Sequence, residues 1–156
     1  MKKILLLSLI MFFVLKSYAQ ETQPFRRPFV YGGFGYTPSK ISTISLEAGY
    51  WGITSTTSFS LTYDVVKDLN QDEWNLNHYV GIKPYFTVHD DVELSHMVYI
   101  MPKINVVDLD DILLEFGYNP NYKISKNDLI SVTLGNQVSS TAQWSLFTSI
   151  GYIRLF

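Results

Sequence analysis

The chain has 156 residues, with 17% charged and 15% aromatic residues, no cysteine and a formal net charge of −2. Without cysteine there are no disulfides, no thiol catalysis, no cysteine-ligated zinc and no lipid-modified N-terminal cysteine, and the acidic balance argues against nucleic acid as a partner. An ordinary soluble domain carries about 25% charged residues, so this chain has too few to cover a water-facing exterior comfortably.

Lys2 and Lys3 precede an apolar run from Ile4 to Leu15 that only Ser8 interrupts, and Ser17-Tyr18-Ala19 places small residues where a signal peptidase reads them. The expectation is a signal peptide over 1–19, cleaved before Gln20. The apolar run is shorter than the roughly 20 residues of a membrane-spanning helix. Cleavage leaves about 137 residues, enough for one domain, and removes Lys2, Lys3 and Lys16, which takes the net charge to near −5. A short N-terminal segment, 20–27, then leads into a single domain over 28–156.

No segment of that domain reads as a helix, and no low-complexity region or close sequence repeat stands out. Period-two alternation instead recurs to the last residue. The first candidate strand, around Phe29 to Tyr36, is glycine-rich and its facing is open. In the second, Ile44, Leu46, Ala48 and Tyr50 alternate with Thr43, Ser45, Glu47 and Gly49. The third sets Phe59, Leu61, Tyr63 and Val65 against Ser58, Ser60, Thr62 and Asp64. The fourth sets Val80, Ile82, Pro84, Phe86 and Val88 against Tyr79, Gly81, Lys83, Tyr85 and Thr87. In the fifth, Leu94, Val98, Ile100, Pro102 and Ile104 oppose Ser95, Tyr99, Met101 and Lys103, with His96 interrupting the apolar set. The sixth turns Ile112, Leu114, Phe116 and Tyr118 away from Glu115, Gly117 and Asn119. The seventh opposes Ile130, Val132 and Leu134 to Ser131, Thr133 and Gly135, and the eighth opposes Trp144, Leu146, Ile150 and Tyr152 to Ser145, Ser149 and Gly151. Turn formers cluster at 37–40, 51–54, 67–75, 89–91, 105–111, 125–128 and 139–141.

Eight strands of about ten residues match the length that a tilted strand needs to cross a bilayer. The fold class expected is all-β, an eight-stranded antiparallel transmembrane up-and-down β-barrel. The polar face decides which side is out. It is mostly Ser, Thr, Gly, Asn and Tyr, where a soluble barrel of the lipocalin kind would show Lys and Glu to water. With the apolar set against lipid, Glu47, Asp64, Lys83, Lys103 and Glu115 point into a narrow interior as a structural charge network. An eight-stranded barrel is only wide enough to be filled by its own side chains. Tyr36, Tyr50, Trp51, Phe86, Trp144, Tyr152 and Phe156 fall near strand ends, as an aromatic girdle does.

The last strand, Trp144-Ser-Leu-Phe-Thr-Ser-Ile-Gly-Tyr-Ile-Arg-Leu-Phe156, resembles the closing strand of bacterial outer-membrane barrels of the OmpA transmembrane-domain and OmpX kind. That resemblance covers roughly 28–156 and rests on pattern. It implies an outer-membrane location in a Gram-negative cell, lipid and lipopolysaccharide as surroundings, the barrel-assembly machinery as a partner in biogenesis, and a monomer. Such barrels commonly have an aromatic or apolar residue two before the end. Here Arg154 stands there, placed to snorkel toward periplasmic headgroups.

No catalytic, cofactor or metal constellation emerges. Some small barrels modify lipid A with a His and a Ser near the outer rim, which makes His78 the candidate to weigh, but no matched nucleophile and orienting acid accompany it. A turn at 89–91 would pair His96 near Pro84 and His78 near Pro102, too far apart for one site, and leave His89 solvated in the turn. The acidic loops with Asp68, Asp72 and Glu73 and with Asp108, Asp110 and Asp111 lack the spacing of a calcium loop. The leading expectation is a non-enzymatic envelope-structural or surface-interaction protein. A lipid A-modifying barrel enzyme and a soluble periplasmic lipocalin-like carrier are the alternatives.

Overall fold

The alternating segments are rich in Val, Ile, Thr, Tyr and Phe, residues that pack well on a pleated, half-buried surface. In a computed structural model of the chain each of them is a strand. Residues 27–54, 56–71, 76–139 and 143–156 are described, and the signal-peptide segment, Asp72, Glu73 and most of the turn expected at 139–141 lie outside them. The strands are β1 (Arg27–Tyr36), β2 (Ile41–Trp51), β3 (Thr57–Asp68), β4 (Leu76–Asp90), β5 (Leu94–Asn105), β6 (Ile112–Lys123), β7 (Asp128–Ser139) and β8 (Trp144–Leu155). Each pairs antiparallel with its neighbours in sequence, and β1 pairs with β8 from Phe29↔Leu155 to Tyr36↔Thr148, so the sheet closes on itself. Closure leaves no sheet edge, which in lipid would strand backbone groups at several kcal/mol each.

The facing is inverted relative to a water-soluble protein. Leu46, Leu61 and Leu146 are 56–61% exposed, while Ser60, Asn121, Asp64 and Glu115 are at most 1% exposed. The interior therefore holds the charged and hydroxyl side chains, together with an apolar cluster of Phe29, Met97, Met101, Leu129, Phe147, Ile153 and Leu155, and the exterior is apolar, the opposite of the lipocalin-like alternative. In β1, whose facing the sequence left open, Phe29 and Tyr31 point inward and Val30, Phe34 and Tyr36 outward.

Three expectations are corrected. β4 runs on to Asp90 and does not turn at His89. Because the turn lies two residues later than expected, the His78 carbonyl accepts from the Val106 N–H at 2.7 Å, and a bulge between Thr87 and His89 shifts the register by one more residue, so that His89 pairs with His96. The connection to β5 is only 91–93. Second, Trp51 shares the parity of Glu47 and faces inward, its ring edge-on to Phe29 at 6.0 Å, so it belongs to the packing at the end of the lumen and not to a girdle. Third, a repeat is present. Leu-x-His-x-Val-x-Ile-x-Pro occurs at 76–84 and again at 94–102, giving β4 and β5 the same outward face while their inward residues differ.

Proline explains where the ladders thin. No pair is recorded between β4 and β5 from Ile82 to Pro84, opposite Ile100 to Pro102, nor between β6 and β7 at Pro120. Proline has no N–H to contribute there.

Two tight turns are legible in chemistry. At 91–93 the Asp91 carboxylate accepts from the backbone N–H groups of Glu93 (2.9 Å) and Leu94 (2.7 Å), which holds its carboxyl below the usual carboxylate range. At 37–40 Lys40 donates its N–H to the Thr37 carbonyl and adopts φ 65°. A left-handed backbone costs a residue with a side chain about 1 kcal/mol. Lys40→Gly should therefore stabilise the barrel by about 0.5–1 kcal/mol, read as a higher urea midpoint in reconstituted vesicles.

Candidate functional site

Alternation gathers Glu47, Asp64, Lys83, Lys103 and Glu115 of β2 to β6 in the lumen, where register sorts them into two clusters. Glu47 on β2 stands opposite Thr62, and Lys83 opposite Ser60. The Lys83 Nζ lies 2.8 Å from Glu47 Oε1, and Glu47 Oε2 accepts from the Tyr85 hydroxyl at 2.6 Å and the Ser60 hydroxyl at 3.0 Å. The same ammonium sits over three phenol rings, 4.4 Å from the centroid of Tyr99, 5.0 Å from Tyr85 and 5.9 Å from Tyr31. Cation–π attraction strengthens as water is removed.

The second cluster centres on Lys103 of β5. Its Nζ lies 2.5 Å from Glu115 Oε2 and also contacts Asp64 Oδ2, and Glu115 Oε1 accepts from the Tyr99 hydroxyl at 2.7 Å. Asp64 is on β3, so the lysine must cross β4 to reach it. It crosses at Gly81, its register partner, where an added Cβ would come within 3.1 Å of Lys103 Cγ and 2.8 Å of Thr62 Oγ1. The missing side chain is the passage. Tyr99 touches both clusters, one through its ring and the other through its hydroxyl.

Glycines also make room for the rings. Tyr31 lies across Gly33 and Gly151, where an added Cβ would fall 2.0 Å and 2.2 Å from its atoms, and the Tyr99 hydroxyl lies over Gly117 and Gly135. On the far wall Asn119 donates to Ser131 Oγ at 2.9 Å and to Thr133 Oγ1 at 2.7 Å. The sequence reading did not single out Tyr31, Tyr85 and Tyr99. Tyr85 and Tyr99 share the parity of Lys83 and Lys103, which is the cue that was available.

Outside, Tyr36, Tyr50, Phe86, Trp144, Tyr152 and Phe156 are exposed. Arg154 donates to Asp128 Oδ1 at 2.5 Å, and the Tyr152 hydroxyl donates to the same oxygen. The guanidinium is thus held to the barrel wall by a neighbouring carboxylate. His78 is hydrogen-bonded through Nδ1 to the Tyr63 hydroxyl at 2.7 Å and His96 through Nδ1 to that of Tyr118. The two histidines lie ten residues apart along the β4–β5 ladder, counted on β5 from the partner of His78 to His96, about 33 Å at roughly 3.3 Å per residue. His89 is largely exposed, its ring 5.8 Å from that of His96. Asp68 turns back on its own loop through Asn70, and Asp111 accepts from Tyr79 and Asn105. Among the described residues no three His, Asp or Glu side chains converge as a metal site.

A closed eight-stranded antiparallel barrel with a packed interior that holds the buried charges and an apolar outer band defines the architecture of small transmembrane β-barrels. The solved structures it resembles agree. A designed transmembrane β-barrel superposes with a TM-score of 0.68 at 16% identity, over 88% of this chain and 100% of that one. The N-terminal β-barrel domain of Pseudomonas aeruginosa OprF gives 0.68 at 12% identity, over 86% and 100%. Neisserial surface protein A gives 0.54 at 13% identity, over 84% and 96%. No family model and no curated protein matches the chain. The likeness is one of fold, that of the small eight-stranded outer-membrane barrels.

Proposed function

We propose that the chain is an integral protein of a bacterial outer membrane, exported with a signal peptide cleaved after Ala19, inserted as a monomer by the barrel-assembly machinery, and structural in the envelope. The observation that carries this reading is the pairing of an apolar exterior with an interior filled by its own ion pairs and rings. Such an interior supports a plug and not a pore. Connections of three to seven residues give little surface for recognising a macromolecule. The start of β1 and the end of β8 lie at one rim, as an even strand number requires, and the other rim carries Asp68, Asp108, Asp110 and Asp111. In this reading the acidic rim faces the lipopolysaccharide surface and the terminal rim the periplasm.

The outer-membrane fraction, run unboiled and boiled on an SDS gel, tests the reading. The expected result is a species that needs detergent for extraction and changes mobility on boiling. Recovery in the detergent-free periplasmic fraction with no shift would overturn it. Deleting the gene should lower detergent resistance, and an intact envelope would remove the structural role while leaving the location standing.

A further inference from the structure

The repeat shared by β4 and β5 puts the same polar device at opposite ends of the barrel. In each copy the histidine is followed two positions later by a valine, Val80 or Val98, and that valine pairs in register with a tyrosine on the flanking strand: Tyr63↔Val80 and Tyr118↔Val98. The tyrosine therefore lies diagonal to the histidine on the outer face, within reach for a hydrogen bond. Both pairs make it through Nδ1, with the rings stacked at interplanar angles of 28° and 18°. Because β4 and β5 run in opposite directions, one pair lies toward the acidic rim and the other toward the terminal rim.

Their spacing matches a membrane. About 33 Å along strands tilted by roughly 40° projects to about 25 Å on the barrel axis, against an apolar band about 25 Å tall in outer-membrane barrels. The pairs thus fall at the two edges of the hydrocarbon, where headgroup phosphates begin. A second basic side chain accompanies each. Lys67 lies on the outer face two positions beyond Val65, the register partner of His78, and His89 is the register partner of His96.

The hydrogen bond sets what the imidazole offers. Either atom of these bonds can be the donor, and in the tautomer in which the tyrosine hydroxyl donates to Nδ1 the neutral ring carries its proton on Nε2. Among the described residues Nε2 of His78 and of His96 makes no hydrogen bond. We propose that Tyr63–His78 and Tyr118–His96 are lipid-phosphate sites, one in the headgroup layer of each leaflet, at which the histidine Nε2–H donates to a phosphate oxygen. The tyrosines are positioning residues. The inference rests on the membrane reading above and names the contact that fixes the barrel's depth.

The test is the full barrel, labelled with ¹⁵N-histidine and reconstituted in phosphatidylglycerol bilayers, followed by ¹⁵N–³¹P dipolar dephasing. His78→Gln and His96→Gln variants assign the signals. The expected result is dephasing at Nε2 of both residues, lost or weakened at His78 in Tyr63→Phe and at His96 in Tyr118→Phe. Dephasing at neither histidine in a barrel that inserts and is heat-modifiable overturns the phosphate sites and leaves the membrane reading intact. Dephasing that the tyrosine variants do not change overturns the positioning role. A chain that does not enter the bilayer overturns both readings together.

Discussion

Lys103→Met is expected to destabilise the barrel by about 3–5 kcal/mol, because removing one partner of a buried ion pair leaves the other charge uncompensated. Here it leaves two. Asp64 and Glu115, each 1% exposed, both pair with the one ammonium; Glu115 keeps the Tyr99 hydroxyl, but Asp64 loses its one charged partner, and its Oδ1 has no hydrogen-bond partner among the described residues. Lys83→Met removes an equally buried cation with a smaller expected loss, because Glu47 keeps the Tyr85 and Ser60 hydroxyls as donors. The measurement is urea unfolding in vesicles followed by tryptophan fluorescence. Replacing Lys103, Asp64 and Glu115 together by apolar residues of similar volume should recover most of the loss, since a whole buried network can be exchanged where half of one cannot. Equal losses in the two lysine variants would show that the two clusters are not energetically distinct.

The barrel is legible in the sequence because one face meets lipid and the other a lumen that holds nearly all of the Ser, Thr, Asn and buried charges, so parity recurs from strand to strand. Glu47, Asp64, Lys83, Lys103 and Glu115 share a parity with Ser, Thr and Gly, and that alone groups them. Parity cannot sort them into clusters, because the partner of Lys103 lies two strands away across Gly81. β1 was unreadable for a related reason: Gly32, Gly33 and Gly35 carry no hydropathy, although two of them are placed by the rings that lie over or against them. Trp51 was misplaced because nearness to a strand end was weighed above its parity with Glu47. The turn falls two residues later than its turn formers suggest, which moves both histidine pairings by four positions, and the bulge before His89, a one-residue event with no compositional mark, adds one more to that of His96. The repeat of β4 and β5 escaped because only alternate residues carry it. An ordinary comparison of adjacent letters is diluted by the inward positions, which face different neighbours.

Gly49→Ala should be among the most damaging conservative changes in the protein, costing about 3 kcal/mol, the upper end of what overpacking usually costs. Its added Cβ would fall 2.0 Å from the Phe59 carbonyl oxygen and 2.6 Å from Ser60 Cα, both backbone atoms of β3. A side chain can swing aside, but a paired strand cannot do so without breaking its ladder. Gly49 is the register partner of Ser60, so parting β2 from β3 there also draws the Ser60 hydroxyl away from Glu47. Gly151→Ala meets Tyr31 at 2.2 Å, a side chain that can move, and should cost less. Gly32→Ala, with Leu46 Cδ2 at 3.9 Å as its nearest contact, should be close to neutral. The order expected in urea midpoint, and in the fraction of unboiled protein that keeps the folded mobility, is Gly32→Ala highest and Gly49→Ala lowest. If Gly49→Ala matched Gly32→Ala, β2 and β3 would have to approach less closely at that point than the geometry shows, and the coupling of strand spacing to the Glu47 cluster would fall with it.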